Sequence, residues 1–506
     1  MIGTLLIRAD ADPVRGTGHV MRTLALAQEW RERCGSFAYL GRVRSGGMDR
    51  RIAVEGGDVA DLVGDADQIR DREALLERAV LGGWVVLDVY DFAAQAEDAL
   101  RSRACRILSI DDYGAREYVS ADLLLNQNTS ADGIAYDHGP ETIPLRGPRF
   151  ALLRKAFRRE LRKPRTEKKG GVLVIFGGSD PAGLTARTLS ALASLKEPPP
   201  VGVAICGPLT TGSENIRKVV TQLGAGWSVE MNASDATVAA TLSNADVAVS
   251  ACGTTVWELA AFGIPTLALS VAENQRLVLS SLAAIGAVSD GGSSSGFREE
   301  KFAACFDQFR QGTDNLRRMR EIGRAMVDGQ GASRVVDAML AVDERGEPTL
   351  RLATPEDTFL LWRWANDPAA RSQSFQSEPI GWDEHRHWFE QRLRSEASRI
   401  YVLEWKTIPV GIVRYDRVEG SRARISFSVD RDFRGRGFGL KLIQLSRPQA
   451  SRDLSVEAFE AETLPGNVPS QRVFRRAGFL EQATAQGTSG RVRFLFDPLR
   501  DERMRT

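Results

Sequence analysis

Short apolar runs that end in glycine or acidic residues recur along the first 340 residues of this chain. Residues 4–10, 84–90 and 106–112 are three such runs, and helical patterns separate them. Strands of a parallel sheet have this apolar composition because helices bury both of its faces. The pattern restarts in four further runs, at residues 171–180, 201–207, 245–253 and 265–271. The sequence therefore predicts two successive α/β lobes, with ligands beyond the carboxyl ends of the strands.

A third unit follows the polar segment 343–349. It has a helical middle and then strands of antiparallel character, at residues 399–406, 410–418 and 423–430. The length of 506 residues also exceeds the roughly 250–300 residues at which single cores stop growing. We therefore predict three domains: a first Rossmann-like lobe at 1–150, a second Rossmann-like lobe at 151–342, and an α+β domain at 349–506.

Composition and charge exclude several classes of protein. The chain has 67 Lys and Arg against 66 Asp and Glu, so it lacks a chain-wide basic field for nucleic acid. No apolar run reaches the roughly 18 residues of a membrane span, and the N-terminus lacks the basic region of a signal peptide. Five cysteines without CxxC spacing fit neither a disulfide framework nor a zinc ribbon. We expect a cytoplasmic protein with neither a nucleic-acid partner nor a membrane span.

The segment that joins the lobes is strongly basic. Residues 154–169 contain nine Lys and Arg and two Glu. Charge runs are usually exposed, so we expect a solvated connector. The alternative is a patch that attracts phosphorylated ligands.

The first apolar run leads into a glycine turn at residues 15–19. Gly16 and Gly18 let the backbone turn tightly, and the helix start that follows favours an anion. A dinucleotide-binding fingerprint needs a third glycine where Met21 stands, so that interpretation is weak. His19 lies at the start of the helix, and a neutral imidazole near pH 7 can accept a proton from water. We predict that His19 is a general base.

The second lobe contains two turns that can present backbone amides to phosphate. They are formed by Gly177, Gly178 and Ser179, and by Gly253 and Thr254. Glu258 follows one turn into the next helix, where a carboxylate can bind both hydroxyls of a ribose. Asn274 and Gln275 follow the next strand and offer amides to a sugar or a phosphate. Together these signals predict a nucleotide site.

Several segments resemble a known hydrolase family: GTGHVMR, VVLDVYDF, GPRFALLRKAF, VIFGGSDP and SACGTTVWELAAFGIPTLALSVAENQ. The family is the UDP-2,4-diacetamido-2,4,6-trideoxy-β-L-altropyranose hydrolase of pseudaminic acid biosynthesis, which is similar in fold to GT-B glycosyltransferases. The resemblance covers residues 1–335. It implies a GT-B-like pair of lobes, UDP held mainly by the second lobe, and metal-free hydrolysis at the anomeric carbon. The absence of metal-ligand spacing among His, Asp and Glu in this half agrees with that expectation.

The resemblance also implies roles for individual residues. It makes His19 the catalytic histidine and places Tyr90 near the reacting sugar. It makes Glu258 the ribose-binding glutamate. The residues that it places in the substrate site are Gly18, Arg22, Gly177, Gly178, Ser179, Gly253, Thr254, Glu258, Asn274 and Gln275. The chain departs from the family at Val89, where members often carry His.

The third unit contains two motifs of an acyl-carrier site. Arg434, Gly437 and Gly439 have the Arg-x-x-Gly-x-Gly spacing of a pyrophosphate loop, and Asn467 begins a later Asn-x-x-Ser motif. They resemble GNAT acetyltransferases over residues 349–500, in the branch that includes ribosomal-protein and pseudaminic-pathway N-acetyltransferases. The resemblance implies acetyl-CoA as cosubstrate. The residues that it places against the coenzyme are Val429, Arg434, Gly435, Arg436, Gly437, Phe438, Gly439 and Asn467.

One position departs from the GNAT pattern. Phe474 stands where many members carry the Tyr that protonates the leaving thiolate, and Phe cannot donate a proton. His385 and His387 are candidates to deprotonate the amine, although a packing or surface role is the simpler interpretation. The sequence leaves the acid and base of this unit open.

Together, the resemblances imply a bifunctional enzyme of pseudaminic acid biosynthesis. It would N-acetylate UDP-4-amino-4,6-dideoxy-N-acetyl-β-L-altrosamine and hydrolyse the diacetylated product to UDP and free sugar. Three alternatives stay open: an acetyltransferase for a different amino sugar, a glycosyltransferase with an acceptor other than water, and a non-catalytic nucleotide-sugar sensor. The sequence leaves open the sugar stereochemistry, the oligomeric state and direct transfer of the intermediate between sites.

Overall fold

The computed structural model describes residues 3–12, 16–62, 67–89, 93–114, 119–164, 170–344, 346–482 and 490–497. The chain divides into two compact units, Met1–Leu340 and Ala341–Thr506. The N-terminal unit contains two parallel sheets, and the C-terminal unit contains one mixed sheet. This architecture confirms the predicted α/β class, with Rossmann-like parallel sheets followed by an α+β unit. Among the described residues, no helix combines the length and apolar character needed to cross a membrane.

The first sheet of the N-terminal unit has seven strands in the described part of the chain. They are β1 (Leu5–Ala9), β2 (Phe37–Gly41), β3 (Asp58–Asp61), β4 (Trp84–Asp88), β5 (Arg106–Ile110), β6 (Leu123–Asn126) and β7 (Ile143–Arg146). Their order is β3-β2-β1-β4-β5-β6-β7, and all neighbours are parallel. The connecting helices are α1 (Gly18–Arg33), α2 (Met48–Val54), α3 (Gln68–Arg78) and α4 (Ala93–Arg101). The order reverses between β1 and β4, which makes this pair the first topological switch point.

The second sheet repeats this plan with six described strands. They are β8 (Val172–Ile175), β9 (Gly202–Cys206), β10 (Trp227–Met231), β11 (Val247–Ala251), β12 (Thr266–Ser270) and β13 (Ser289–Ser293). All neighbours in the order β10-β9-β8-β11-β12-β13 are parallel, so the second switch point lies between β8 and β11.

Helix α5 (Lys155–Leu161) precedes the second sheet. The helices that follow within and after the sheet are α6 (Leu184–Ala193), α7 (Ser213–Leu223), α8 (Asp235–Asn244), α9 (Thr255–Phe262), α10 (Glu273–Ala284), α11 (Glu299–Gln311), α12 (Thr313–Met326) and α13 (Gly331–Ala341). The central strands of both sheets are buried along their whole length because helices cover both faces.

The third sheet, in the C-terminal unit, is mixed. Its described strands are β14 (Thr349–Leu352), β15 (Ser398–Trp405), β16 (Ile408–Arg417), β17 (Arg422–Val429), β18 (Ala458–Thr463), β19 (Leu480–Gln482) and β20 (Val492–Phe496). In the order β14-β15-β16-β17-β18-β20-β19, the β17–β18 pair is parallel and the other pairs are antiparallel. The helices are α14 (Thr358–Ala365), α15 (Pro368–Ser372), α16 (Trp382–Arg394), α17 (Phe438–Leu454) and α18 (Val468–Arg476). Short 3-10 helices lie at Ser45–Gly47, Thr129–Gly133, Pro148–Phe150, Pro355–Asp357 and Arg431–Phe433.

The basic connector between the two lobes is not a solvated segment at its N-terminal end. Arg158 is buried on α5 and pairs with Glu29 of α1. Arg154 is also buried, and its Nη2 donates to Glu258 Oε1 of α9 over 2.7 Å. The prediction of a solvated connector is wrong at these positions, because tertiary contacts supply a carboxylate for each cation.

Candidate functional site

The first switch point brings a histidine and a carboxylate together. β1 leads through the glycine turn into α1, whose second residue is His19, and β4 ends at Asp88. His19 Nδ1 lies 2.7 Å from Asp88 Oδ1. Asp88 is buried, whereas the His19 side chain is 16% exposed. An ionised carboxylate at Nδ1 favours the imidazole tautomer that carries its proton there, and this tautomer has its basic lone pair on Nε2.

A cation holds Asp88 in its ionised form. Arg22, one turn along α1 from His19, donates to Asp88 Oδ2 over 2.7 Å and to Oδ1 over 2.6 Å. Burial raises the pKa of Asp88, but the positive charge of Arg22 and the interactions with Arg22 and His19 outweigh burial and hold this pKa well below its usual range. Arg22 also donates to both oxygens of Asp112 over 2.8 Å. The pKa of Asp112 is lowered in the same way, against the effect of burial.

The first glycine turn of the second lobe follows β8 at the second switch point. Gly177 has a φ of +78°, a left-handed conformation that glycine adopts without strain. The amides that start α6 are already used, because Leu184 N and Thr185 N each donate to the Asp180 carboxylate over 2.8 Å. Phosphate binding at this turn would therefore depend on the amides of residues 177–179 and not on the helix start.

The second glycine turn follows β11 and leads into α9. No side chain of the described residues caps the start of this helix, whose N-cap is Thr254. Glu258, in the first turn, is buried and accepts a hydrogen bond from Arg154. Burial raises the pKa of Glu258, and the charge of Arg154 opposes this rise. The helix start and this carboxylate lie within one turn of each other, as the predicted phosphate and ribose contacts require.

Turns from the two lobes approach each other closely. A Cβ added to Gly18 would lie 3.5 Å from Thr254 Oγ1. A Cβ at Gly178 would lie 3.1 Å from Thr17 Cβ and would overlap the Thr17 hydroxyl. The start of α1, which carries His19, therefore shares one region with both glycine turns of the second lobe.

Helix α10 brings one of its two predicted polar residues to this region. Gln275 Nε2 lies 3.4 Å from where a Cβ of Gly253 would be, and its Oε1 accepts from Val271 N over 3.0 Å. Asn274 is exposed. Tyr90, predicted near the reacting sugar, lies outside the described residues.

The structure adds residues to which the sequence assigned no role. Asp112 binds Arg22, and Asn128 Nδ2 donates to Asp112 Oδ1 over 3.0 Å. A signal for both existed, because each lies two residues past the end of a strand, at the carboxyl edge of the sheet. In the ranges that the structure describes, no group of three or more His, Cys, Asp or Glu side chains is placed to hold a metal ion.

The predicted coenzyme loop of the C-terminal unit would present backbone groups to the coenzyme. Gly435 and Gly437 have φ values of +78° and +85°, and nothing lies within 4 Å of a Cβ at either position. Gly437 is the N-cap of α17, whose first turn contains no acidic residue. Arg434 donates to Asp367 Oδ1 over 2.8 Å and to Val429 O over 3.1 Å, so it braces the loop. The loop leaves room for an anion at the helix start.

Strands β17 and β18 separate beside this loop. They pair through residues 422–424 and 458–460, although the strands continue to Val429 and Thr463. The diverging edge of β17 is a place where an extended ligand can bind backbone. Asn467, the predicted contact after β18, caps α18 by accepting from Ser470 N over 3.2 Å.

Phe474 and His385 both belong to the core of this unit. Phe474 is buried, with its ring centroid 5.4 Å from that of Phe427. His385 is buried against Trp388 and Phe389, and burial lowers its pKa to about 4. These contacts give His385 a packing role.

Comparison with known protein families identifies the C-terminal unit. Residues 349–480 match the family described as acetyltransferase (GNAT) domain. The C-terminal unit is a GNAT acetyltransferase domain. Acetyl-CoA is therefore its cosubstrate, and its reaction is N-acetylation. The open glycine loop and the diverging β17 edge fit that cosubstrate.

Two curated proteins are similar to longer parts of the chain. An uncharacterized protein of Methanocaldococcus jannaschii is 21% identical over 499 residues, covering 94% of this chain and 96% of its own length. The spore coat polysaccharide biosynthesis protein SpsG of Bacillus subtilis is 23% identical over 340 residues, covering 65% of this chain and 95% of its own length. Among solved structures, the aminoglycoside acetyltransferase AAC(6')-Ib is 19% identical and matches 32% of this chain and 100% of its own, with a TM-score of 0.28.

Proposed function

We propose that the N-terminal unit hydrolyses a UDP-linked amino sugar at its anomeric carbon and that the GNAT domain acetylates the precursor of that sugar. The acetyl acceptor is UDP-4-amino-4,6-dideoxy-N-acetyl-β-L-altrosamine, and the products of hydrolysis are UDP and 2,4-diacetamido-2,4,6-trideoxy-L-altrose. The observation that carries the hydrolase is the His19–Asp88 pair beside the glycine turns of the second lobe. The similarity to SpsG, named for polysaccharide biosynthesis, supports a sugar substrate.

In this proposal His19 is the general base. A water oxygen bonds to the anomeric carbon, the bond from that carbon to the diphosphate oxygen breaks, and UDP leaves with the electron pair. The water proton goes to His19 Nε2, while Asp88 at Nδ1 stabilises the imidazolium that forms.

The second lobe holds the leaving group. Amides of residues 177–179 and the start of α9 stabilise the charge that develops on the diphosphate. Glu258 accepts hydrogen bonds from the ribose hydroxyls while Arg154 holds its other side. Gln275 binds the diphosphate or the sugar from the start of α10.

The GNAT domain supplies the second acetyl group. Residues 435–439 bind the pyrophosphate of acetyl-CoA, and the β17 edge binds its pantetheine arm. The 4-amino nitrogen forms an amide bond to the acetyl carbon as the thioester bond breaks; the nitrogen loses one proton, the leaving thiolate gains one, and CoA is released as the thiol. Placing consecutive activities on one chain raises the effective concentration of the intermediate.

Mass spectrometry of the products tests this scheme. Full-length protein with the 4-amino nucleotide sugar should release UDP and the diacetylated free sugar only when acetyl-CoA is added. UDP release that does not depend on acetyl-CoA would contradict the coupled scheme. A sugar transferred to another molecule would identify a glycosyltransferase, and no turnover with tight UDP-sugar binding would identify a sensor.

Two variants separate the activities. Gly437→Val should abolish acetylation, because its left-handed φ strains any β-branched residue, and should leave hydrolysis of the pre-acetylated substrate intact. His19→Ala should do the reverse. Loss of both activities in either variant would contradict the assignment of one reaction to each unit.

A further inference from the structure

Arg22 directs its guanidinium at carboxylates of the protein. It is 4% exposed. Its Nε and Nη2 donate to the two oxygens of Asp88, and its Nη1 donates to the two oxygens of Asp112. Nε–H and one N–H of Nη2 serve Asp88, and Nη1 faces both oxygens of Asp112. Nη2 also lies 3.3 Å from His19 Nδ1, but the Asp88 Oδ1 carboxylate oxygen is closer to that nitrogen, at 2.7 Å. This environment differs from the substrate contact that the sequence predicts for Arg22.

The bidentate pairing with Asp88 fixes both oxygens of that carboxylate. Asp88 Oδ1 is the atom that faces His19 Nδ1, so Arg22 sets the position and the charge of the group that orients the imidazole. Arg22 is in turn anchored by Asp112, to which Asn128 donates over 3.0 Å. The chain of contacts crosses the carboxyl ends of β1, β4, β5 and β6.

We infer that Arg22 is a positioning residue, which fixes the orientation and tautomer of His19 through Asp88 and is itself held by Asp112. The inference rests on the proposed hydrolase, in which His19 is the base. It deepens that proposal by giving Arg22 a role in the chemical step instead of in substrate binding.

Arg22→Lys provides the sharpest test, because it keeps the charge and removes the planar fork that binds two carboxylates at once. The measurement follows the ring-nitrogen signals of full-length protein with ¹⁵N-labelled histidine. The chain has four histidines, and the His19→Gln variant identifies the signals of His19. We expect wild-type His19 to carry its proton on Nδ1 without substrate, and Arg22→Lys to show a mixture of tautomers. With the diacetylated UDP-sugar, kcat should fall by about 10²-fold and KM should change less than about twofold.

An unchanged tautomer in Arg22→Lys, or a raised KM with kcat retained, would overturn the inference. Asp112→Asn, which keeps the shape and removes one anchor, should shift the same signals by less. Circular dichroism checks the folding of each variant. If Arg22→Lys does not fold, the test rests on Asp112→Asn. In that case, a His19 tautomer identical to that of the wild type overturns the inference. Absence of UDP release by the wild-type protein would sink the proposed function alone, since the tautomer is measured without substrate.

Discussion

The two lobes of the N-terminal unit share a topology and differ in the chemistry of their switch points. In the first lobe the strands end in charged side chains that bind one another, with Asp88 between His19 and Arg22. In the second lobe they end in small residues, Gly177 to Ser179 and Gly253 to Thr254, which expose backbone. The first arrangement suits proton transfer and the second suits anion binding. Equivalent positions in one fold thus serve chemistry in one lobe and binding in the other.

The carboxyl groups near the two switch points follow the same division. Asp88 and Asp112 in the first lobe have lowered pKa values because the charge of Arg22 outweighs burial. Asp180 and Glu258 in the second lobe have raised pKa values because burial outweighs their hydrogen bonds and nearby cations. The shifts therefore have opposite directions: the ionised carboxylate is favoured at the side-chain site and disfavoured around the backbone site.

The largest expected effect separates chemistry from binding. His19→Ala should lower the rate of UDP release by about 10²–10⁴-fold, because it removes the general base. The Kd for UDP, measured by calorimetry, should change less than about twofold. His138→Ala is the matched control, since His138 contacts the Gly139 carbonyl in the same lobe and should leave both quantities unchanged. Equal loss of UDP affinity and turnover in His19→Ala would break the division of roles.

The next effect tests the backbone site. Gly178→Ala should weaken UDP binding by about tenfold, or about 1.4 kcal/mol, because the new Cβ overlaps the Thr17 hydroxyl and pushes the turns apart. Adding Thr17→Ala removes that hydroxyl and should restore most of the affinity. If the double variant binds UDP as weakly as Gly178→Ala, contact between the lobes is not the cause.

A smaller effect tests the assignment of the α6 helix start. Asp180→Ala should lower the free energy of unfolding by about 1–2 kcal/mol, because two amides lose their acceptor. Asp180→Asn retains an acceptor oxygen and should cost less. Asp314→Ala, with a side chain that is 96% exposed, is the control. Denaturant titration measures the free energy of unfolding of all three variants. If Asp180→Ala is as stable as the wild type, the Asp180 carboxylate does not occupy the α6 amides, and they are available to phosphate.

The smallest expected effect is that acid destabilises the first lobe more than the second. Asp88 and Asp112 stabilise the fold above their unfolded pKa of about 3.9, and this stability is lost as pH falls below it. Asp180 and Glu258 have raised values, so their ionised forms cost stability at neutral pH and protonation relieves that cost. Hydrogen exchange at pH 6 and pH 3.5 should show β4 and β5 losing more protection than β8 and β11, after correction for intrinsic rates. The opposite order would contradict the comparison.

Local pattern accounts for most of the fold. The apolar run at residues 4–10 contains β1, and the runs at 171–180 and 245–253 contain β8 and β11. The predicted runs did not include β2, β3, β6, β7, β10 or β13; of these, β3 and β13 lack an apolar run, because their residues are only partly buried. The glycine turns were predictable because chain reversal and left-handed φ are local requirements.

The partners of the candidate site were less predictable. His19 stood out by its place after a glycine turn, yet the same pattern does not indicate which carboxylate it meets. The basic connector was misjudged for the same reason, since composition counts the charges of Arg154 and Arg158 without their distant acceptors.

Residue order along the chain determined the two α/β lobes, the helix starts and the glycine loops, since periodicity and backbone freedom act over a few residues. Only the tertiary structure decided that Arg22 joins Asp88, 66 residues away, to Asp112, 90 residues away. Those contacts depend on which strands become neighbours at a switch point. Neighbouring strands are chosen by packing over the whole sheet, and no local segment encodes that choice.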